Sequence, residues 1–193
     1  DGLNTLCIGY YLIISLIVFY LNFNGVINID NTLILNLISV LLICFMLNSF
    51  NKIFLGDSGS YLLGFIFAVL LIELYNLNRH ISPFFIILML WYPSFELLFS
   101  MIRKKTLSRS PLEPDSNHLH QLLLHFLRKK NAFKISTSNL LAAYLINAYN
   151  LIIFLISINN ITNTQLQIIL ILLNLTIYTV IYFKLFILRY KKI

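Results

Sequence analysis

The sequence contains few charged residues and only two cysteines. Asp, Glu, Lys and Arg make up 11% of the 193 residues, whereas 59% are hydrophobic, and the mean hydropathy is +0.85. A soluble domain must cover its surface with groups that interact with water, so this shortage of charge excludes that class. Cys7 and Cys44 lie in separate apolar segments, which indicates small packing residues rather than a disulfide or a metal pair.

Several common signals are missing as well. The chain has no initiating Met, no positively charged leader and no cleavage signal, so we expect it to be the C-terminal portion of a longer protein. No repeat or heptad stands out. The alternating ten-residue strands of a membrane barrel are also lacking, which leaves helices to cross the bilayer.

Long apolar runs are what the sequence does contain. Six of them are near the ~20 residues that a helix needs to cross the hydrocarbon core. They predict an all-α, polytopic integral membrane protein with about six transmembrane helices, and residues 1–193 then form part of one transmembrane domain. The predicted spans are 5–23, 32–50, 60–77, 83–102, 139–158 and 165–188.

The basic residues predict the orientation. If the loop at about 103–138 is cytoplasmic, six alternating spans place every Lys and Arg except Arg79 on the cytoplasmic side. That asymmetry is the positive-inside pattern. The net charge of +7 is then explained by a basic face next to anionic lipid, and no nucleic acid is needed to account for it.

A short polar segment around Asp57 opens the third span. Gly56 and Gly59 bracket the carboxylate and allow a tight turn, and Ser58 or Ser60 could cap the following helix. Because a helix N-terminus attracts anions, phosphate is the natural ligand for such a site. A simple helix cap explains Asp57 about as well, so the segment alone does not decide between them.

The loop after the fourth span carries His118 and His120 and leads into a helical pattern. We predict a short amphipathic helix lying in the membrane interface, with its apolar residues on one stripe. A structural metal pair is disfavoured because residues two apart on a helix point to different faces. The alternative to a functional role for this loop is a basic surface segment that is simply exposed to solvent. The stripe consists of Leu119, Leu122, Leu123, Phe126 and Leu127.

The fourth span contains Pro93 and Glu96. Proline interrupts a helix and frees a backbone carbonyl, and an ionisable group inside a span is a functional candidate. The alternatives are that Glu96 reaches the cytoplasmic surface or pairs with Arg103. Glu73, near the outer end of the third span, is expected to be interfacial.

Four motifs together resemble one family. Residues 1–6, 54–64, 93–104 and 110–120 look like successive signatures of the polyprenyl-phosphate N-acetylhexosamine-1-phosphate transferases, within glycosyltransferase family 4 and close to the undecaprenyl-phosphate GlcNAc-1-phosphate transferases. The resemblance implies a bacterial inner-membrane enzyme of ten or eleven helices. Such an enzyme transfers a sugar 1-phosphate from a UDP-sugar to a polyprenyl phosphate on the cytoplasmic face, and the resemblance leaves a homodimer open.

The resemblance also implies roles for individual residues. Asp57 would be a catalytic ligand of Mg²⁺, with Mn²⁺ as an alternative, and Asp1 would be a second catalytic group. One carboxylate is chemically sufficient on the protein side, because Mg²⁺ prefers one or two carboxylates plus substrate oxygens. His118 and His120 would contact the nucleotide sugar. Further substrate-binding residues would be Asn4, Gly56, Gly59, Arg103, Asp115 and Gln121.

The departures from the family pattern matter too. Gln121 stands where a further His is frequent, Ser116 where Arg is common, and Glu96 where Asp is common. Gln121 can hydrogen-bond but cannot titrate. Because the histidine cluster is sparse, we favour a transferase that initiates a cell-surface polysaccharide. The family's paired aspartates would lie upstream of Asp1, so this chain alone is expected to be inactive.

Two other classes are weighed against the transferase. A secondary transporter could use Glu96 and Glu73 as coupling carboxylates, but transporters place such groups near the midplane on broken helices. A membrane scaffold could use the basic loop to contact lipids or partners. It would have no use for a carboxylate between two glycines.

Overall fold

The computed structural model describes residues 2–106, 108, 116–130 and 135–190, and this part of the chain is built from helices joined by turns. The prediction of an all-α fold is confirmed. The helices are α1 Leu6–Phe23, α2 Asn31–Ser49, α3 Gly56–Leu77, α4 Pro83–Met89, α5 Trp91–Thr106, α6 Leu119–Lys130, α7 Ile135–Ile158 and α8 Thr164–Tyr190.

Five of these helices are long and apolar enough to cross a membrane, namely α1, α2, α3, α7 and α8. A sixth crossing exists if α4 and α5 together count as one span. The chain is therefore a multi-pass membrane protein, as its composition predicts. The helix α1 is the most buried of the five and packs against α2, α3 and α7.

The fourth predicted span is bent rather than continuous. The helices α4 and α5 meet at 69° around Leu90, one residue after α4 ends. Pro93 has no N–H, so the carbonyl of Met89 loses the donor that an unbroken helix would provide. The Tyr10 hydroxyl on α1 donates a hydrogen bond to that carbonyl at 3.0 Å. The freed carbonyl predicted from Pro93 thus has a partner on another helix.

Polar contacts tie the helices together at the end of the bundle that we call the distal end. Asn78, after α3, accepts from the backbone N–H of Asn28 at 2.7 Å and donates to its carbonyl at 3.0 Å. The hydroxyls of Ser82 and Thr164 lie 3.1 Å apart and join the starts of α4 and α8. The opposite end carries the basic residues of α5, α6 and α8, and we call it the basic end.

The helix α6 differs from the prediction in what its apolar stripe contacts. It packs against α7 and α8, and Leu119, Leu122 and Leu127 are buried while Leu123 and Phe126 are partly buried. The amphipathic pattern is confirmed, and its apolar stripe packs against protein, while a position in the membrane interface stays a prediction. An apolar stripe gains the same burial against protein as against lipid, and only tertiary packing distinguishes the two.

Candidate functional site at the basic end

Two arginines hold the residues that precede α6. Arg103 of α5 donates from Nη1 to the Asn117 carbonyl at 3.0 Å. Arg189 of α8 donates from Nη1 to the Ser116 carbonyl at 2.6 Å and to Asn117 Oδ1 at 3.1 Å. The chain entering α6 is therefore anchored to two different helices, which fixes where His118 is placed.

Glu96 of α5 lies directly against this segment. Its Oε1 accepts hydrogen bonds from His118 Nδ1 at 2.9 Å and from the Leu119 N–H at 3.0 Å. Its Oε2 accepts from the Tyr178 hydroxyl of α8 at 2.9 Å. The side chain is buried, so it does not reach the surface, and its partners are not Arg103. Both sequence-based alternatives for Glu96 are wrong.

Arg103 is instead engaged with aromatic and backbone groups. Its Nη1 also donates to the Tyr182 hydroxyl at 2.7 Å, and its guanidinium lies 5.3 Å from the centre of the Tyr182 ring. Binding of substrate by Arg103 stays a prediction. The structure places Arg103 among α5, α8 and the segment before α6, where it positions the histidine motif.

The two histidines of the motif lie together. Their rings stack with centroids 5.4 Å apart and an interplanar angle of 12°. The helix begins at Leu119, so His118 precedes it, and the argument that residues two apart point to different faces does not apply. His120 is 7% exposed, and its Nε2 has no hydrogen-bond partner among the described residues. Burial lowers the pKa of His120 to about 4, which makes the ring neutral near pH 7.

Gly2 brings the N-terminal motif against His120. A Cβ placed on Gly2 would be 2.9 Å from His120 Nε2 and 4.0 Å from Gln121 Nε2, and the Gly2 φ angle is +111°. Only glycine fits such a close approach in this conformation. Asp1 precedes Gly2 but lies outside the described residues, as does Asp115. The first and the last motifs of the sequence therefore meet at one place.

Asn4 links α1 to two other elements. Its side chain donates to the side-chain oxygen of Asn51, and its backbone N–H donates to Asn139 Oδ1 at 2.8 Å. The Thr5 N–H donates to Asn48 Oδ1 next to it. Asn4 thus joins α1 to the end of α2 and the start of α7, and its predicted binding of substrate stays a prediction.

Asp57 lies in the first turn of α3 and its side chain is exposed. The helix starts at Gly56, whose φ is +67°, and has no side-chain hydrogen bond capping it. The Ser60 hydroxyl donates back to the Gly56 carbonyl at 2.7 Å. The prediction that Ser58 or Ser60 caps this helix is therefore wrong. Asp57 itself has no hydrogen-bond partner in the part of the chain that the structure describes.

The segment before Asp57 borders the N-terminal motif. Phe54 and Leu55 line a small cavity of about 10 Å³ together with Asn4 and Thr5. A Cβ on Gly59 would lie 2.6 Å from Leu55 Cδ1, so Gly59 lets this segment fold tightly onto the helix. The motif around Asp57 thus lies next to the N-terminal motif, and both are at the basic end with the histidine motif.

The donor set fits one kind of metal site. No group of three or more His, Cys, Asp or Glu side chains forms a metal cage among the described residues. An exposed carboxylate without a protein partner, such as Asp57, matches the way Mg²⁺ is held by one or two carboxylates, waters and substrate phosphates. Asp57 therefore fits a site of that kind, in which substrate and water would supply the remaining ligands.

Several residues of this end were not found by sequence reasoning. They are polar or aromatic groups on distant helices whose partners become visible only in the packed bundle, because nothing in the local sequence pattern marks them. They are Asn48, Asn51, Asn139, Tyr178, Tyr182 and Arg189.

Comparisons with known proteins agree with the motifs. Residues 1–75 match the model of the family described as "Glycosyl transferase family 4". The undecaprenyl-phosphate alpha-N-acetylglucosaminyl 1-phosphate transferase of Thermotoga maritima is 31% identical over 83 residues, which are 43% of this chain and 26% of that protein. Proteins of the same name from Salmonella typhi and Escherichia coli K12 are 35% and 34% identical over 74 residues, which are 38% of this chain and 20% of each relative.

These alignments span only about a quarter or a fifth of the relatives' length. No solved structure matches the chain. The matched region contains two of the four motifs, the one at residues 1–6 and the one around Asp57. The resemblance predicted from the motifs is thus confirmed over residues 1–75, which are similar to glycosyl transferase family 4.

Proposed function

We propose that the complete protein transfers an N-acetylhexosamine 1-phosphate from a UDP-sugar to a polyprenyl phosphate and so initiates a cell-surface polysaccharide. The observation that carries this proposal is the meeting of Gly2 with His120 at the basic end, since it joins the first of the four motifs, residues 1–6, to the last, residues 110–120. The names of the relatives, which are transferases acting on undecaprenyl phosphate, support it.

Each group at the basic end would have a defined task. Asp57 would hold Mg²⁺, which neutralises phosphate charge and aligns the reacting groups in phosphoryl transfer. Asp1 would be a second acidic member of the site. His118 and His120 would contact the nucleotide sugar. Because burial keeps His120 neutral near pH 7, its Nε2 offers either an N–H or a lone pair to the substrate but no positive charge.

The membrane arrangement is consistent with this chemistry. Among the described residues, the basic side chains other than Arg79 belong to the basic end or to the helix segments approaching it. By the positive-inside pattern that end would face the cytoplasm, where UDP-sugars are present, and the bilayer of a bacterial inner membrane would supply the polyprenyl phosphate.

The transporter alternative receives less support. Glu96 is enclosed by His118, Leu119 and Tyr178, whereas Glu73 is exposed near the distal end of α3. The two carboxylates therefore do not share a cavity at mid-membrane, which coupled transport would need.

A panel of UDP-sugars tests the proposal directly. Membranes containing the complete protein should release UMP from a UDP-N-acetylhexosamine only when polyprenyl phosphate and Mg²⁺ are present, and should form a prenyl diphosphate sugar. Chromatography of the lipid product measures the reaction. If no UDP-sugar of the panel yields a lipid-linked sugar, the proposed activity is wrong.

His118→Ala should separate the two substrates. Loss of one hydrogen-bonding contact to the nucleotide sugar should raise its KM by about 10-fold and leave the KM for the lipid phosphate nearly unchanged. Steady-state kinetics on the complete protein measure both constants. His125→Ala is the matched control, because His125 lies on α6, just after the segment that holds His118, and its side chain is exposed. An equal rise in both KM values would contradict the assigned role.

A further inference from the structure

Glu96 is unusual among the acidic residues of this protein. Of those that the structure describes, Asp30, Asp57 and Glu73 are exposed and Glu96 alone is buried, at 8% exposure. Burying a carboxylate is costly unless hydrogen bonds compensate for the lost water. Three donors do so here, and they come from the segment before α6, the start of α6 and α8.

One oxygen of Glu96 is hydrogen-bonded both to His118 and to Leu119, the first residue of α6. An ionised carboxylate only accepts hydrogen bonds, so the Nδ1 of His118 carries the proton and donates it at 2.9 Å. The same Oε1 accepts the N–H of Leu119, which is one of the N–H groups that a helix start leaves unpaired. Glu96 therefore caps α6 from another helix and orients the adjacent ring.

The carboxylate is itself held in place. Tyr178 binds its other oxygen, and the Tyr178 ring packs edge-to-face against Phe95 at 5.0 Å and Phe99 at 5.4 Å between centroids. A group supported on both oxygens cannot turn freely. The His118 ring is 24% exposed, and with Nδ1 occupied, Nε2 is the nitrogen that remains for a ligand.

We propose that Glu96 is a positioning residue that fixes His118 with Nδ1 protonated, so that Nε2 faces the nucleotide sugar. This inference rests on the proposed function, because it assigns the ligand of Nε2 to the UDP-sugar. Glu96 does not touch substrate. It acts on the reaction only by orienting His118. Many functional histidines are oriented in the same way, by a carboxylate or a carbonyl that is hydrogen-bonded to the ring nitrogen that does not bind the ligand.

Glu96→Gln tests the orientation without any activity assay. In the complete protein labelled with ¹⁵N-histidine, the proton on His118 Nδ1 should move upfield, because a neutral amide is a weaker acceptor than a carboxylate. His118→Ala identifies the signal. Glu73→Gln removes an exposed carboxylate and should leave the signal unchanged. An unchanged signal in Glu96→Gln would overturn the proposal, even if transfer activity were never detected.

A double-mutant cycle tests whether Glu96 acts through His118. Glu96→Gln alone should raise the KM for the UDP-sugar about 10-fold, the effect of one charge-assisted hydrogen bond, and Glu96→Asp should restore part of it. In a His118→Ala background, Glu96→Gln should have little further effect. Additive effects, or equal losses for both substrates, would show a purely structural role and contradict the inference. Absence of transfer by the unmodified protein would contradict the proposed function and leave the NMR result to decide on Glu96.

Discussion

Asp57→Asn in the complete protein should lower the rate of sugar-phosphate transfer at least ~100-fold, the scale of losing one well-placed electrostatic stabiliser. The carboxylate is exposed at the first turn of α3 and has no hydrogen-bond partner in the described part of the chain, so the protein's internal contacts do not depend on its charge. Asn has nearly the same size and removes the negative charge that would bind Mg²⁺. Turnover measured over a range of Mg²⁺ concentrations should show weaker dependence on the ion.

Asp30→Asn provides the matched control. Asp30 precedes α2, and its side chain accepts from the Thr32 N–H at 2.9 Å as an N-cap. Asn caps helices about as well as Asp, so this variant should keep full activity and stability. If Asp57→Asn behaved like Asp30→Asn, the proposed catalytic role of Asp57 would be lost.

Gly2→Ala should reduce transfer by on the order of 100-fold, because a shift of about 1 Å in a positioning element can cost that much. The added methyl group would come within 2.9 Å of His120 Nε2, and the backbone would have to keep a φ of +111°. His120 is buried and cannot move away without disturbing its stack on His118. Single-turnover rates with saturating UDP-sugar would measure the loss.

Gly25→Ala separates crowding from backbone strain. Gly25 also has a positive φ, +69°, but nothing lies within 4 Å of a Cβ placed there. Its substitution carries the backbone cost, about 1–2 kcal/mol for a left-handed residue, without any contact to the site. Gly25→Ala should therefore destabilise the protein modestly, as seen in its thermal unfolding, and keep its turnover. Equal turnover losses in both variants would mean that the approach of Gly2 to His120 has no functional role.

Much of the architecture follows from the sequence by itself. Apolar runs of nearly twenty residues predict the long helices because an unpaired backbone is too costly in a bilayer. The charge asymmetry groups Asp57 with the histidine loop before any contact is known. The resemblance to family 4 depends on motif order, and the match to residues 1–75 agrees with it.

Only the tertiary structure decided how these pieces meet. The bend at Leu90 uses a hydroxyl of Tyr10 on α1, and the partners of Glu96 are His118, Leu119 and Tyr178. Such contacts join residues far apart in the sequence, so local propensity and periodicity carry no information about them. The sequence by itself determined which helices form and which polar groups share an end. Packing decided which of those groups touch. In the low-dielectric interior an unpaired polar atom is costly, so each buried polar atom must bond to the partner that packing places next to it.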